Sequence, residues 1–324
     1  MKQALILLLV WFSFSCKSEV NKNGSYVPAS SGNINHVTVV MPQKDWNSTL
    51  GDIVRDGLQA IYEGLPLDEP QFSLVYMNPK AFTGFARQNR NIVWFRKDSL
   101  EGFRLSQNQF ARPQILATIS GIDEENQGFY FEENTTLLKQ TILENERKEK
   151  LRRIMKSPTI EKTLATRFGI ELTYPTAYKT FKDTTNFVWI QKEVQKGHLN
   201  IIVYSLNENA LNGSFSERIL NIRDSIGKAY VPGRLDGSYL ITERAFRPYF
   251  YRTELVGKQT YLTKGTWEVA NDFMAGPFVN YMIQDTINKR ILVVEGFVFA
   301  PTANKRDYMF ELNTIINSLK EVVN

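Results

Sequence analysis

Two histidines, one cysteine and 34 acidic residues bound the chemistry open to this 324-residue chain. His36 and His198 are the only imidazoles and Cys16 the only thiol, so a Ser-His-Asp relay must recruit one of the two histidines, and a zinc site must replace its usual ligands with carboxylates. His36 lies at the edge of a polar stretch and His198 follows Lys196-Gly197 in an expected turn, which places both at the surface. Gly257-Lys258 lacks the upstream glycine and the following Ser or Thr of a phosphate loop. The stretch 207–213 has the look of a calcium loop, yet the twelfth position from Asn207 is Arg218, which cannot supply a bidentate carboxylate. No catalytic residue, metal ligand or cofactor is therefore expected. Paired carboxylates remain the one catalytic chemistry the composition allows, as in glycoside cleavage, with Glu268, Asp272 and Glu295 as candidates. Solvated or capping acids are the plainer reading of the same residues.

Binding chemistry is better represented. Residues 243–252 interleave three arginines with four aromatics, and Arg244, Phe246, Arg247, Tyr249, Tyr251 and Arg252 together offer a surface that stacks on and pairs with an anionic or sugar ligand. The same pattern suits an amphipathic edge strand protected by Pro248. Residues 264–278 carry Trp267 between the polar Thr266 and Glu268, so the indole is expected to face inward, and Gly276-Pro277 is expected to form a tight connection leading into Phe278.

The N-terminus carries a different signal. Met1-Lys2-Gln3 precedes an apolar run over 4–14, too short for the roughly 20 residues of a spanning helix, and Cys16 follows Ser15 where that run stops. The arrangement resembles a bacterial lipoprotein signal, in which the first mature residue is a lipid-bearing cysteine, although Ser13 stands where that pattern usually has leucine. The resemblance implies a signal peptide over 1–15, lipidation of Cys16, a flexible tether over 16–35, and attachment to the membrane through acyl chains that each add about 0.8 kcal/mol per buried methylene. Lys17 and Glu19 are faintly similar to charged signals that send some lipoproteins to the outer surface, and an ordinary polar linker is the favoured reading of them.

The elements that must position these residues follow from periodicity. Strands are expected at 37–42, 72–76 and 91–96 with helices over 50–62 and 80–87, an α/β unit spanning 36–131. Residues 132–168 form a helical connector whose charge run, 144–153, reads as a solvated face held by pairs three and four apart. The unit 169–324 contains strands at 171–173, 186–192, 199–206, 239–242, 246–255, 259–269, 278–285 and 291–299, a helix capped by Ser214, and a final helix from about 305 with Met309, Leu312, Ile315, Ile316 and Leu319 on one face. The fold class is thus α+β: two α/β sandwich-like units, mainly antiparallel sheets packed with helices, joined by a long charged helical segment. Residues 91–97 and 186–192 share Asn, Val, Trp and Lys at matching places, which leaves an internal duplication open. The excess of five positive charges is spread along the chain, not concentrated on one face, so nucleic acid is not an expected partner.

The lipoprotein signal, the Asn186-Phe187-Val188-Trp189 strand and the stretch from Gly265-Thr266-Trp267 to Gly276-Pro277-Phe278 resemble an uncharacterised, domain-of-unknown-function family of Bacteroidetes lipoproteins. That resemblance covers nearly all of the mature chain, with Ala275 where the family usually has glycine, and it brings no known activity or ligand. The C-terminal unit is loosely similar to PsbP-like α/β/α sandwich modules. The expectation is a lipid-anchored cell-envelope protein, at the outer membrane in preference to the inner, acting as a non-enzymatic binding or assembly accessory toward an envelope protein or glycan. A carboxylate-dependent envelope glycan hydrolase is the alternative.

Overall fold

The computed structural model describes residues 26–322, apart from 161 and 212–214. The signal, Cys16, the start of the tether and the Ser214 cap lie outside the described residues. Among those described, no helix is long and apolar enough to cross a membrane, and no three His, Cys, Asp or Glu side chains gather as a metal-ligand set.

The first unit contains β1 (His36–Val40), α1 (Gln43–Trp46), α2 (Thr49–Leu58), β2 (Ser73–Met77), β3 (Asn91–Lys97), β4 (Gly102–Gln107), β5 (Ile115–Gly121) and α3 (Glu124–Ile154). Its sheet has the order β2-β1-β3-β5-β4, parallel except for the β4–β5 pair. The α+β class and the mainly antiparallel pairing hold for the molecule as a whole, and this sheet is the parallel exception. The reason lies in β1, which reads as an unbroken apolar run because both its faces are covered. Val37, Val39 and Met41 pack under α2 and α3, whereas Val40 meets Phe82, Ile92 and Leu116 on the far side. Short 3₁₀ turns at Pro79–Ala81 and Gly84–Gln88 replace the helix expected at 80–87.

α3, the long charged helix that leads from the first unit to the second, is also part of the first unit's core. Its 31 residues start at an Asp123 cap, and Phe131, Leu138 and Ile142 lie in the core against β1, β3 and β5. The charge run is a solvated face only in part: Glu144, Arg147, Lys148, Arg152 and Arg153 are exposed and pairs three and four apart form, but Glu146 and Glu149 are buried. Glu146 is fully buried and accepts hydrogen bonds from Arg90 Nε (2.5 Å), Asn91 Nδ2 (2.6 Å) and the Asn35 backbone (2.8 Å). Arg90 in turn donates to the carbonyls of Gly32 and Asn33, and Arg153 donates to Gly32 as well. The tether expected to run free as far as residue 35 is therefore fixed to the body from Pro28 onward, where Arg112 N bonds the Pro28 carbonyl and Ser30 N the Arg112 carbonyl.

The second unit begins with α4 (Thr163–Phe168), β6 (Ile170–Glu171), β7 (Lys179–Thr184), β8 (Phe187–Val194) and β9 (Gly197–Asn207). It continues through α5 (Phe215–Tyr230), β10 (Tyr239–Thr242), β11 (Tyr249–Leu255), β12 (Lys258–Ala270), β13 (Ala275–Asp285), β14 (Arg290–Phe299), α6 (Arg306–Ile316) and β15 (Lys320–Glu321). An eight-stranded antiparallel sheet runs β10-β12-β13-β14-β9-β8-β7, with β11 sharing the β12 edge, and β15 pairs with β6. α5 covers one face over Trp189, Trp267, Phe278 and Phe297. α4 and α6 cover the other, where Met309, Leu312, Ile315, Ile316 and Leu319 are buried as their spacing predicts. β3 is parallel to both neighbours and β8 antiparallel to both of its own, so the similar sequences at 91–97 and 186–192 do not mark a structural repeat.

Gly276 and Pro277 do not form the expected turn. They lie inside β13, and the chain reverses at Asn271, whose φ of 66° is left-handed, closed by Val269 N to the Met274 carbonyl. Gly276 is small for another reason: a Cβ there would lie 2.0 Å from the Val298 carbonyl oxygen.

The two units are locked together by charge. Glu311 on α6 receives Lys150 of α3 at 2.5 Å, Lys192 of β8 at 2.6 Å and the Tyr178 hydroxyl at 2.9 Å. Glu69 of the first unit accepts the Lys305 and Arg306 backbone N–H groups at the start of α6, at 2.7 and 3.0 Å, and Asn35 Nδ2 donates to Asp307. Two further carboxylates, Glu149 and Asp285, make the fold sensitive to acid. Burial raises the Glu149 pKa, but hydrogen bonds from Arg152 and Arg153 outweigh it and hold the group at about 2; at Asp285 those from Lys258, Asn288 and Arg290 outweigh burial to the same value. Both contribute stability at neutral pH that is lost as pH falls from about 4 toward 2, since the unfolded carboxylates take protons near 4. Urea titrations across that range are expected to show Glu149→Gln and Asp285→Asn weaker than wild type at pH 7, with the difference closing in acid. A pH-independent difference would show that charge is not what these residues contribute.

Candidate functional site

A groove of about 310 Å³ opens where the units meet. One wall is α3, on which Lys139, Leu143 and Arg147 follow at four-residue spacing and so share a face. The loop between α2 and β2 supplies Ile61, Tyr62, Glu63 and Gln71, pinned by Tyr62 N to the Glu69 carbonyl and Gln71 N to the Ala60 carbonyl. The second unit contributes Lys264 from β12 and Phe310 and Asn313 from α6.

At the rim, Lys264 Nζ lies 2.8 Å from Glu63 Oε2 and 5.3 Å from the centre of the Tyr251 ring. Burial tends to raise the Glu63 pKa, and Lys264 outweighs it, holding the carboxyl below the usual range. The Tyr251 hydroxyl, which donates to Glu63, is pushed up to about 12 by burial and then by that carboxylate. Glu63 is therefore charged and Tyr251 neutral at pH 7. Deeper in, Asn313 Oδ1 accepts from the Tyr281 hydroxyl at 2.5 Å and from Asn317 Nδ2 at 3.1 Å.

The residues singled out from the sequence do not form one surface. β11 alternates, so Tyr251 reaches the groove rim while Phe250 and Arg252 face Phe215 of α5, Arg252 lying 5.7 Å from its ring. Tyr249 is on the Tyr251 side of the strand and is exposed. Arg244 is held by Asp224 at 2.9 Å and Asn221 at 3.1 Å. Arg247 lines a separate shallow depression with Ser216, Glu217 and Phe250, and Phe246 projects into solvent.

The candidate acids are engaged elsewhere. Glu295 is fully buried, bonded by Arg223 at 2.8 Å and by Asn280 at 2.8 Å, and Asp272 accepts from Arg234 at 3.0 Å. The Glu268 pKa is raised by burial first and by a hydrogen bond with Glu243 second. That contact is closer than the roughly 5–9.5 Å carboxyl separation used in glycoside hydrolysis. His36 is half-buried, not a surface group: burial and then Arg306 lower its pKa, with Asp307 and Glu146 opposing. His198 belongs to β9 and lies against the Phe299 ring at 5.9 Å. Lys139 and Glu63 carry no sequence motif and Arg147 is one of several charges in the run 144–153, so the four-residue spacing of Lys139, Leu143 and Arg147 is the one signal that sets them apart.

The fold and groove define a two-unit α+β protein with a polar interface cleft and no assembled catalytic constellation among the described residues. The chain belongs to the family described as "Domain of unknown function (DUF4837)", whose model matches residues 157–318, and residues 30–155 match "Domain of unknown function (DUF8532)". The two matches meet just after α3. No curated protein matches the chain. Among solved structures it is similar to the Ran-binding protein Mog1p of Saccharomyces cerevisiae, at 11% identity and a TM-score of 0.32, over 48% of this chain and 90% of that one. It is also similar to a single-substitution variant of protein Mog1, at 11% identity and a TM-score of 0.31, over 48% and 91%. A likeness this slight carries no argument about function.

Proposed function

We propose that this chain is a lipid-anchored envelope protein, attached through Cys16 to the outer membrane, that acts as a non-enzymatic binding or assembly accessory and meets an envelope protein or glycan at the groove between its units. The observation that carries the reading is the groove itself. It is walled by residues of both units, and it presents two cations, Lys139 and Arg147, that form no ion pair among the described residues, whereas the acids that offered catalysis are tied up in ion pairs or in contact with another acid. Clefts at unit interfaces are preferred places for ligands. Attachment through Cys16 is supported by the short apolar run before it and the polar stretch after it.

A photo-crosslinking side chain placed at Ile61, an exposed residue of the groove, is expected to capture a discrete envelope component in cells. The same side chain at Phe181, exposed on β7 at the opposite edge of the large sheet, is expected to capture none. In parallel, Cys16→Ala should move the protein from the membrane to the soluble fraction and diminish capture. Equal capture from both positions would remove the groove as the working surface, and membrane retention of Cys16→Ala would remove the lipid anchor.

A further inference from the structure

The basic residues of α3 divide into two groups. Lys148 pairs with Glu144 at 2.7 Å, Lys150 with Glu311 at 2.5 Å, and Arg152 and Arg153 with Glu149 at 2.7 Å each. Lys139 and Arg147 line the inter-unit groove and form no ion pair among the described residues, although Arg147 is near enough to Glu144 to help lower its pKa. On one helix, then, every cation outside the groove is held in an ion pair, and among the described residues neither cation lining it is.

From this we infer that the groove binds an anionic group, a carboxylate or phosphate, held chiefly by Lys139 and Arg147. The inference rests on the groove being the working site and names the chemistry it takes. Three cations line the groove against one acid, Glu63, and that acid is already paired with Lys264. A concave site with a net positive charge concentrates anions, and Leu143 and Phe310 add apolar patches to an otherwise polar wall. Arg147 can present its planar fork to two oxygens of one group, and Lys139 a point charge to a third. Neutral donors are in place beside them: Asn313 uses its Oδ1 to accept from Tyr281 and Asn317, which leaves its Nδ2 hydrogens directed elsewhere, and Gln71 stands on the opposite wall. The volume suits a phosphorylated or acidic sugar unit and not a large hydrophobic ligand.

The test is calorimetric titration of the full-length chain in neutral detergent at fixed ionic strength, with inorganic pyrophosphate, trigalacturonate and, as an uncharged control, maltotriose. Saturable binding of one or both anions and none of maltotriose is expected; pyrophosphate alone points to phosphate as the natural group, trigalacturonate alone to a sugar carboxylate. The Lys139→Gln/Arg147→Gln pair should weaken the bound anion by at least about tenfold, and Lys148→Gln by no more than about twofold. Because neither groove cation forms an ion pair among the described residues, the double variant should melt with the wild type, and Arg147→Lys should recover part of the loss. Failure of both anions to bind, or equal weakening by Lys148→Gln, overturns the inference. Should the anions fail while the Ile61 crosslink persists, the groove stands as a partner site and only its anion chemistry falls. Anion binding with no crosslink from Ile61 gives the converse.

Discussion

Glu146→Ala is expected to cost about 3–5 kcal/mol, the range for breaking a buried ion pair from one side. The large effect comes from what is left behind. Arg90 is 2% exposed and would keep its charge in the core with only Glu149, 4.0 Å away and already shared by Arg152 and Arg153, to offset it, while Asn91 and the Asn35 backbone lose Glu146 as an acceptor. Arg90 also holds the carbonyls of Gly32 and Asn33, so the segment from Pro28 to Asn35 should loosen together with the pair. Urea unfolding checks the magnitude, and proteolysis near Gly32 checks the loosening. A double replacement, Arg90→Met with Glu146→Leu, should be less damaging than the single change, because no charge is then stranded. A single variant as stable as wild type would show that solvent reaches Arg90.

Trp267→Ala is expected to cost roughly 3–5 kcal/mol as well, through an emptied aromatic site. The indole is 2% exposed, its Nε1 donates to the Val298 carbonyl at 3.2 Å, and its ring neighbours are Phe297 at 5.9 Å and Phe299 at 6.3 Å. It lies opposite Gly276 in the β12–β13 register, and the missing Cβ is what makes room for the ring. The variant should lower the urea midpoint without changing binding per folded molecule. One that melts with the wild type yet loses crosslinking from Ile61 would instead make the tryptophan a ligand platform.

The strands of the second unit are legible because they alternate or run apolar between clear turn residues, and β10 falls where its sequence pattern ends. Edge strands are harder. β4 and β7 are half-exposed along their length and carry too few apolar residues to signal themselves. β5 is buried, but Ala117, Ser120 and Gly121 dilute its pattern. The helix α3 shows the limit most plainly. Phe131, Thr135, Leu138, Ile142, Glu146 and Glu149 follow at spacings of four and three and are all buried, so the two acids occupy the register of the apolar stripe. Composition reads them as solvated, whereas register places them inside, and their partner Arg90 is 56 residues away. The groove was illegible for a related reason: its walls come from four separated segments, and only docking of the units brings them together.

The hydrogen bond from Asn35 to Asp307 spans 272 residues, and Lys150 finds Glu311 only across 161. A ribosome adding about 5–20 residues per second therefore needs on the order of ten to thirty seconds between releasing one member of the Lys150–Glu311 pair and the other. Until residue 311 is made, the residues of the first unit's sheet and α3 are present without the helix that Glu69 caps. The chain's opening segment thus waits for its closing one, and a fragment ending at the boundary between the two family matches would carry an exposed Glu69, a bare Lys150 and half a groove.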